Sequence, residues 1–422
     1  MSTITRRRFS ASVLAAAGVL AAPGVLRAQG KPKLVVIGGG PGGATVAKYV
    51  ARDSQGAIDV TMVEPLDAFI TCFHSNLVLG GLRSYDSIIH PYKLSNYGVK
   101  HVRQMAAAID RDKKQVRLAD GSTLPYDRLV VAPGIDIKFD SVPGYSEEAA
   151  AIMPHAWKPG AQTLLLKKQL DALSDGATIV MLAPPNPYRC PPGPYERVSC
   201  MAAVLKAKGH TKSRIVVIDP KEKFSKMALF QEGWQKHYPG MVEWMDPKMH
   251  GGVKAVDPKA MTVTTDLETI KADLVNVIPA QMAGKIARDA QLTNQIGYCP
   301  IDPNNMKSAV DPNIYVLGDA AIAGTMPKSA FSANSHAKVV AMAVRGELAG
   351  SRTFPARYAN TCWSVIAKDD TVKIGGRYEA KDGAIAEVEG FVSKTNENPE
   401  VRLQTSEENM GWYSGITADI FT

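Results

Sequence analysis

The chain has 422 residues, 45% hydrophobic and 21% charged, a globular composition long enough for two or three domains and unlike that of a disordered protein. Its formal net charge is +8, but Arg6, Arg7, Arg8 and Arg27 all fall in an acid-free leader, and no Lys/Arg run that would track phosphates follows, which argues against a nucleic-acid partner. The five cysteines form neither a CxxCH haem-attachment motif nor a Cys/His cluster with metal-ligand spacing, so neither haem nor metal is expected on this chain.

Residues 1–28 read as an export signal. Thr5-Arg6-Arg7-Arg8-Phe9 has the twin-arginine pattern, an apolar run extends from Ala11 to Val25, and Ala28 offers a small residue for cleavage. The run is short and Ala-rich for a spanning anchor. Twin-arginine export carries folded proteins, often with a cofactor already inserted. The leader therefore predicts a periplasmic location, a cofactor, and a compartment where disulfides persist.

Lys33–Ile37 reads as a strand and Ala44–Ala51 as a helix, with Ile58–Val63 as the next strand. The turn between the first two is Gly38-Gly39-Gly40-Pro41-Gly42-Gly43. Gly38 permits the tight turn, Gly40 lets the backbone approach a pyrophosphate, and Gly43 lets the helix pack on the strand. The helix N-terminus then presents free N–H groups to phosphate, and Glu64 at the end of the second strand suits ribose hydroxyls. Tyr126–Ala132 reads as a strand ending in Ala132-Pro133-Gly134. Asn313–Leu317 reads as another, ending in Gly318-Asp319 ahead of a helix over Ser329–Leu348. This pair resembles the strand-end signatures of the two-dinucleotide-domain flavoproteins, which implies FAD held by Gly134 and Asp319 as well as by the glycine turn. The expected FAD domain is discontinuous, over 31–150 and 280–350.

Residues 151–279 read as a second α/β unit, with strands at Ala177–Leu182 and Arg214–Ile218 and a helix at Val198–Lys208 between them. Where a nicotinamide-binding relative would carry a second glycine turn, this chain has Ala183-Pro184-Pro185-Asn186-Pro187 and then Cys190-Pro191-Pro192-Gly193-Pro194. Proline has no N–H to offer a phosphate, so this unit is expected to keep the fold without the nucleotide. Residues 351–422 read as a third region with strands near Thr371–Ile374 and Ala384–Val388 and no long amphipathic helix, hence no monotopic membrane anchor.

Three cysteines stand in distinctive settings: Cys72 in Thr71-Cys72-Phe73-His74, Cys190 in Cys190-Pro191-Pro192-Gly193-Pro194-Tyr195-Glu196-Arg197, and Cys362 in Asn360-Thr361-Cys362-Trp363-Ser364. With the tail Trp412-Tyr413-Ser414-Gly415-Ile416-Thr417, these segments resemble the flavoprotein subunit of flavocytochrome c sulfide dehydrogenase from Lys33 onward. Sulfide:quinone oxidoreductases and type II NADH dehydrogenases are broader relatives. The resemblance implies an α/β fold of two Rossmann-like dinucleotide-binding domains, the disulfide-reductase-like flavoprotein fold, plus an α+β C-terminal domain. It implies FAD joined to Cys72 by an 8α-S-cysteinyl bond, a redox disulfide between Cys190 and Cys362, and Glu196 as an acid in the same pocket. It implies sulfide as substrate and a heterodimer with a monohaem or dihaem c-type cytochrome subunit. Read from the residues alone, Cys72 also fits a buried apolar role, Cys190 and Cys362 a structural disulfide, and Glu196 an ion pair with Arg189 or Arg197. A quinone-linked enzyme and a non-catalytic flavoprotein relay are the competing functions.

Overall fold

In the computed structural model, which describes residues 30–422, the first parallel strands are buried almost end to end. The export signal expected over residues 1–28 lies outside the described residues. Strand β1 (Lys33–Ile37) leads through the glycine turn into helix α1 (Pro41–Asp53), and β2 (Asp59–Val63), β3 (Lys100–Val102) and β4 (Arg128–Val131) follow. From Leu34 to Ile37 every residue of β1 is buried, as a parallel strand covered on both faces requires.

A second set follows: β5 (Thr178–Leu182), helix α2 (Gly193–Ala207), β6 (Arg214–Ile218), helix α3 (Met227–His237), β7 (Val242–Met245) and β8 (Leu274–Val277). The chain then returns to the first sheet with β9 (Ile314–Val316) and helix α4 (Ala330–Ala349). The first sheet has the order β9-β4-β1-β2-β3 and the second β7-β6-β5-β8, both with parallel pairing throughout. Both are therefore built around a central first strand flanked on one side by its successors. Strands β10 (Arg357–Ala367), β11 (Asp370–Lys381) and β12 (Ala384–Val392) form an antiparallel meander, and helix α5 (Pro399–Phe421) ends the chain.

Two expectations are corrected. Helix α2 begins at Gly193, five residues before the expected Val198, because Pro194 falls within its first two positions, where a missing N–H costs nothing. The C-terminal region carries a 23-residue helix where none was expected. Its buried residues, Arg402, Thr405, Asn409, Tyr413, Ile416 and Ile420, recur at helical spacing, but the first three are polar. Arg402 bonds Asp370 of β11 at 3.1 Å and Glu232 of α3 at 3.3 Å. None of the described helices is long and apolar enough to cross a membrane.

Candidate active site

Two cavities meet at Cys72. The first, of about 1130 Å³, runs along the C-terminal ends of β1, β4 and β9, where open α/β sheets take their ligands. Gly38, Gly40, Glu64, Cys72, Gly134 and Asp319 all line it. Gly38 has φ +100°, and a Cβ there would stand 2.4 Å from the Ala132 carbonyl oxygen. Gly43 lies beneath the cleft, where a Cβ would meet the Gly38 carbonyl at 1.9 Å. Glu64 accepts the Gly39 N–H at 2.9 Å, which fixes the turn and leaves its other oxygen towards the Leu66 N–H at 3.2 Å.

Asp319 supplies the test of fit for FAD. Its Oδ1 is buried with no hydrogen-bond partner among the described residues, and burial raises its pKa against the pull of Arg189 and Lys328. Such a carboxylate is costly unless a donor reaches it, and the hydroxyls of a ribityl chain supply one. The residues present fit the dinucleotide flavin.

The second cavity, of about 720 Å³, is lined by Cys72, Cys190, Cys362 and Glu196, and shares Cys72, Arg189, Ser329 and Ala330 with the first. Each chemical group comes from a different element. Cys72 precedes the short helix Ser75–Leu79, whose N-cap His74 is left-handed at φ 64°. Cys190, also left-handed at φ 58°, is fixed by its N–H on the Lys328 carbonyl at 2.8 Å. A Cβ on Gly193 would press to 2.9 Å of both the Cys190 sulfur and Trp157, so glycine leaves room for that thiol at the start of α2. Cys362 sits mid-strand in β10 opposite Ile374, with Asn360 Nδ2 3.4 Å from its sulfur. The cysteine sulfurs are unbonded in this structure.

Glu196 makes no ion pair with Arg189 or Arg197. It is buried and accepts two N–H bonds, from Val365 at 2.9 Å and from the Asn76 side chain at 2.8 Å. Burial raises its pKa, while these donors and the charges of Lys226 and Arg197 oppose the rise. Burial raises the thiol pKa of Cys190 as well, and the nearby Cys362 adds to it. Arg197, fully buried, donates to Asn76 Oδ1 at 3.1 Å, Asn276 Oδ1 at 3.1 Å and the carbonyls of His155 and Ala156 at 2.9 and 2.6 Å. Desolvation lowers its pKa to about 9, so it remains a cation at neutral pH.

Several of these residues gave no signal in the sequence. Asn76 ties the Cys72 loop to α2, for it also donates to the Gly193 carbonyl at 3.0 Å. Helix α5 walls the site: Asn409 bonds His74 at 3.0 Å, Tyr413 bonds Thr71 at 2.9 Å and stacks on His74 at 4.3 Å, and Trp412 lines the cavity. Burial drops the His74 pKa to about 3, so the ring is neutral. Cys200 and Cys299 are buried and line neither cavity, and Cys200 packs against Gly80. Among the described residues no group of three His, Cys, Asp or Glu side chains is placed to hold a metal.

A glycine turn on the first of two Rossmann-like sheets, with an orphaned acid at the far end of its cleft, defines an FAD-dependent oxidoreductase, and residues 32–160 match the pyridine nucleotide-disulphide oxidoreductase model. Residues 163–279 match the central model of the sulfide dehydrogenase (flavocytochrome c) flavoprotein chain, and residues 354–421 match the flavocytochrome c sulphide dehydrogenase flavin-binding model. The chain is 53% identical over 49 residues to the sulfide dehydrogenase (flavocytochrome c) flavoprotein chain of Chlorobaculum thiosulfatiphilum, a stretch covering 12% of this chain and all of that sequence. It belongs to this family of flavoprotein chains. It is also 23% identical over 325 residues to the mitochondrial sulfide:quinone oxidoreductase of Dictyostelium discoideum, covering 73% of this chain and 69% of that one. The sulfide:quinone oxidoreductase structure from Aquifex aeolicus shares the fold, with a TM-score of 0.70, 16% identity and 92% coverage of both chains.

Proposed function

We propose that the protein is a periplasmic sulfide dehydrogenase that oxidises HS⁻ at a Cys190–Cys362 disulfide and a flavin, and passes the electrons to a c-type cytochrome subunit. The observation that carries this reading is the convergence of Cys190, Cys362 and Glu196 in a cavity that opens onto the FAD cleft at Cys72. Arg189, Arg197 and Lys226 outnumber the one carboxylate around the cysteine pair, a charge balance that favours an anionic substrate.

Attack of HS⁻ on one sulfur of the disulfide forms a new S–S bond, breaks the old one and sends its electron pair to the other cysteine as thiolate. Glu196, held by two donors yet poised upward in pKa by burial, takes the proton that the bound SH gives up. FAD, when bound, accepts the pair of electrons and releases them singly. Cys72, which lines both cavities, would carry a thioether to the flavin, a tether that keeps the cofactor in a compartment without its supply. The twin-arginine pattern of Thr5–Phe9 supports the location, and on this reading a chain without a CxxCH motif leaves the haem to the partner.

The test is anaerobic addition of sulfide to the mature flavoprotein, with and without a c-type cytochrome. Sulfide should bleach the flavin and reduce the cytochrome, and Cys190→Ser should abolish both. Unchanged turnover in Cys190→Ser would overturn the reading, as would electron delivery to quinones in place of the cytochrome.

A further inference from the structure

Lys226 is the N-cap of α3, and its side chain ends beside the cysteine pair. It is left-handed at φ 62°, at the start of α3, and only 8% exposed. Its ammonium reaches across the β10–β11 hairpin, 3.0 Å from the Cys362 carbonyl, 2.8 Å from the Ser364 hydroxyl and 3.5 Å from the Val372 carbonyl. All three acceptors are neutral. Among the described residues no carboxylate lies within salt-bridge distance of it. A buried ammonium without a counter-ion is costly. The charged and titratable groups facing it are Cys362, Glu196 and Cys190, with Cys362 the strongest. Burial lowers its pKa to about 8, which leaves it mostly protonated at neutral pH.

A cation fixed by two carbonyls and a hydroxyl beside one member of a cysteine pair, with no carboxylate in contact with it, suits a negative charge that appears only during turnover. We propose that Lys226 is a positioning residue whose buried ammonium is the standing counter-charge for the thiolate released at Cys362 when the Cys190–Cys362 bond opens. This rests on the sulfide-oxidising reading of the same site. HS⁻ bonds to the Cys190 sulfur, the Cys190–Cys362 bond breaks, and its electron pair stays on Cys362, whose pKa burial raises while Asn360 Nδ2, 3.4 Å from the sulfur, and the Lys226 charge oppose the rise. Cys190 is the more exposed of the two and is the sulfur within reach of the incoming anion.

The experiment reads the thiolate directly and needs no sulfide. The flavin-loaded protein is reduced with dithiothreitol, freed of reductant and treated with iodoacetamide across pH 6–9, and alkylation of Cys362 is followed by peptide mass. In Lys226→Met and Lys226→Gln the rate at neutral pH should fall roughly tenfold and its pH profile should move upward, because the thiolate fraction falls. Lys226→Arg should restore both. Lys226→Gln keeps a donor for the carbonyls should the methionine variant fail to fold, and flavin absorbance reports folding in each. Cys362 alkylation unchanged in both uncharged variants would overturn the proposal. A protein whose alkylation responds as stated but that turns over no sulfide would uphold the role of Lys226 and sink the sulfide reading instead.

Discussion

In the first sheet the chain leaves β1 through Gly38–Gly43, and the acid that follows β2, Glu64, lines an open cleft. In the second sheet the strands keep the same relative order, but the chain leaves β5 through a proline-bearing turn with a cis Asn186–Pro187 bond. The acid that follows β6 is Asp219, the counterpart of Glu64, and it is fully buried. It accepts from Tyr195 at 2.5 Å and from Trp244 at 3.0 Å, and pairs with Lys221 at 2.6 Å, while Lys221 also reaches the Pro184 carbonyl at 2.5 Å. One topology thus serves two ends. Where a strand-end acid such as Asp319 is left without a donor it waits for a cofactor, and where such groups satisfy one another, as Asp219 and its partners do, they become core.

The contrast predicts opposite costs for the two acids. Asp219→Ala leaves Lys221 buried without its partner and should lower stability by on the order of 3 kcal/mol in denaturant unfolding, with flavin content per folded molecule unchanged. Glu64→Ala should do the reverse. Measured in a Cys72→Ser background so that the flavin can exchange, it should weaken FAD binding roughly tenfold, through loss of one charge-assisted bond and a loosened turn, and move stability by less than about 1 kcal/mol. The comparison breaks if Asp219→Ala frees the flavin or Glu64→Ala unfolds the chain. The smallest expected effect is none at all: saturating NADH, added anaerobically, should leave the flavin spectrum unaltered. Bleaching would mean that the second cleft opens to a nucleotide after all.

The first of these regions was legible because its chemistry is local. Gly38, Gly40 and Gly43 are required by backbone crowding within one turn, and strands such as Lys33–Ile37 are short apolar runs bounded by that turn. Cys72, Cys190, Cys362 and Glu196 could be named from the segments around them, although nothing in those segments tells which atoms face each other. Asn76, Lys226 and Asn409 sit in ordinary surroundings and matter only because separate elements bring them to one cavity. Helix α5 escaped notice for a different reason. Periodicity is sought in apolar residues, and its buried stripe starts with Arg402, Thr405 and Asn409: Arg402 is satisfied by Asp370 and Glu232 and Asn409 by His74, all from elsewhere in the fold, and Thr405 donates to the Val401 carbonyl of its own helix. The proline run masked the start of α2, since proline reads as a breaker although it is well suited to a first turn.

The first sheet is completed by β9, which pairs with β4 only after the whole of the second sheet has been laid down between them. During synthesis β4 therefore stands as an unpaired edge, and the cleft lacks Asp319 and the Ser329 end of α4 until late. Long-range pairing of this kind is slow and leaves strand edges exposed to misassociation. The second sheet has no such debt and can close by itself. Folding should then proceed from the inside outward, with the second sheet formed first and the flavin admitted last, so that cofactor capture doubles as a signal that the chain has finished folding.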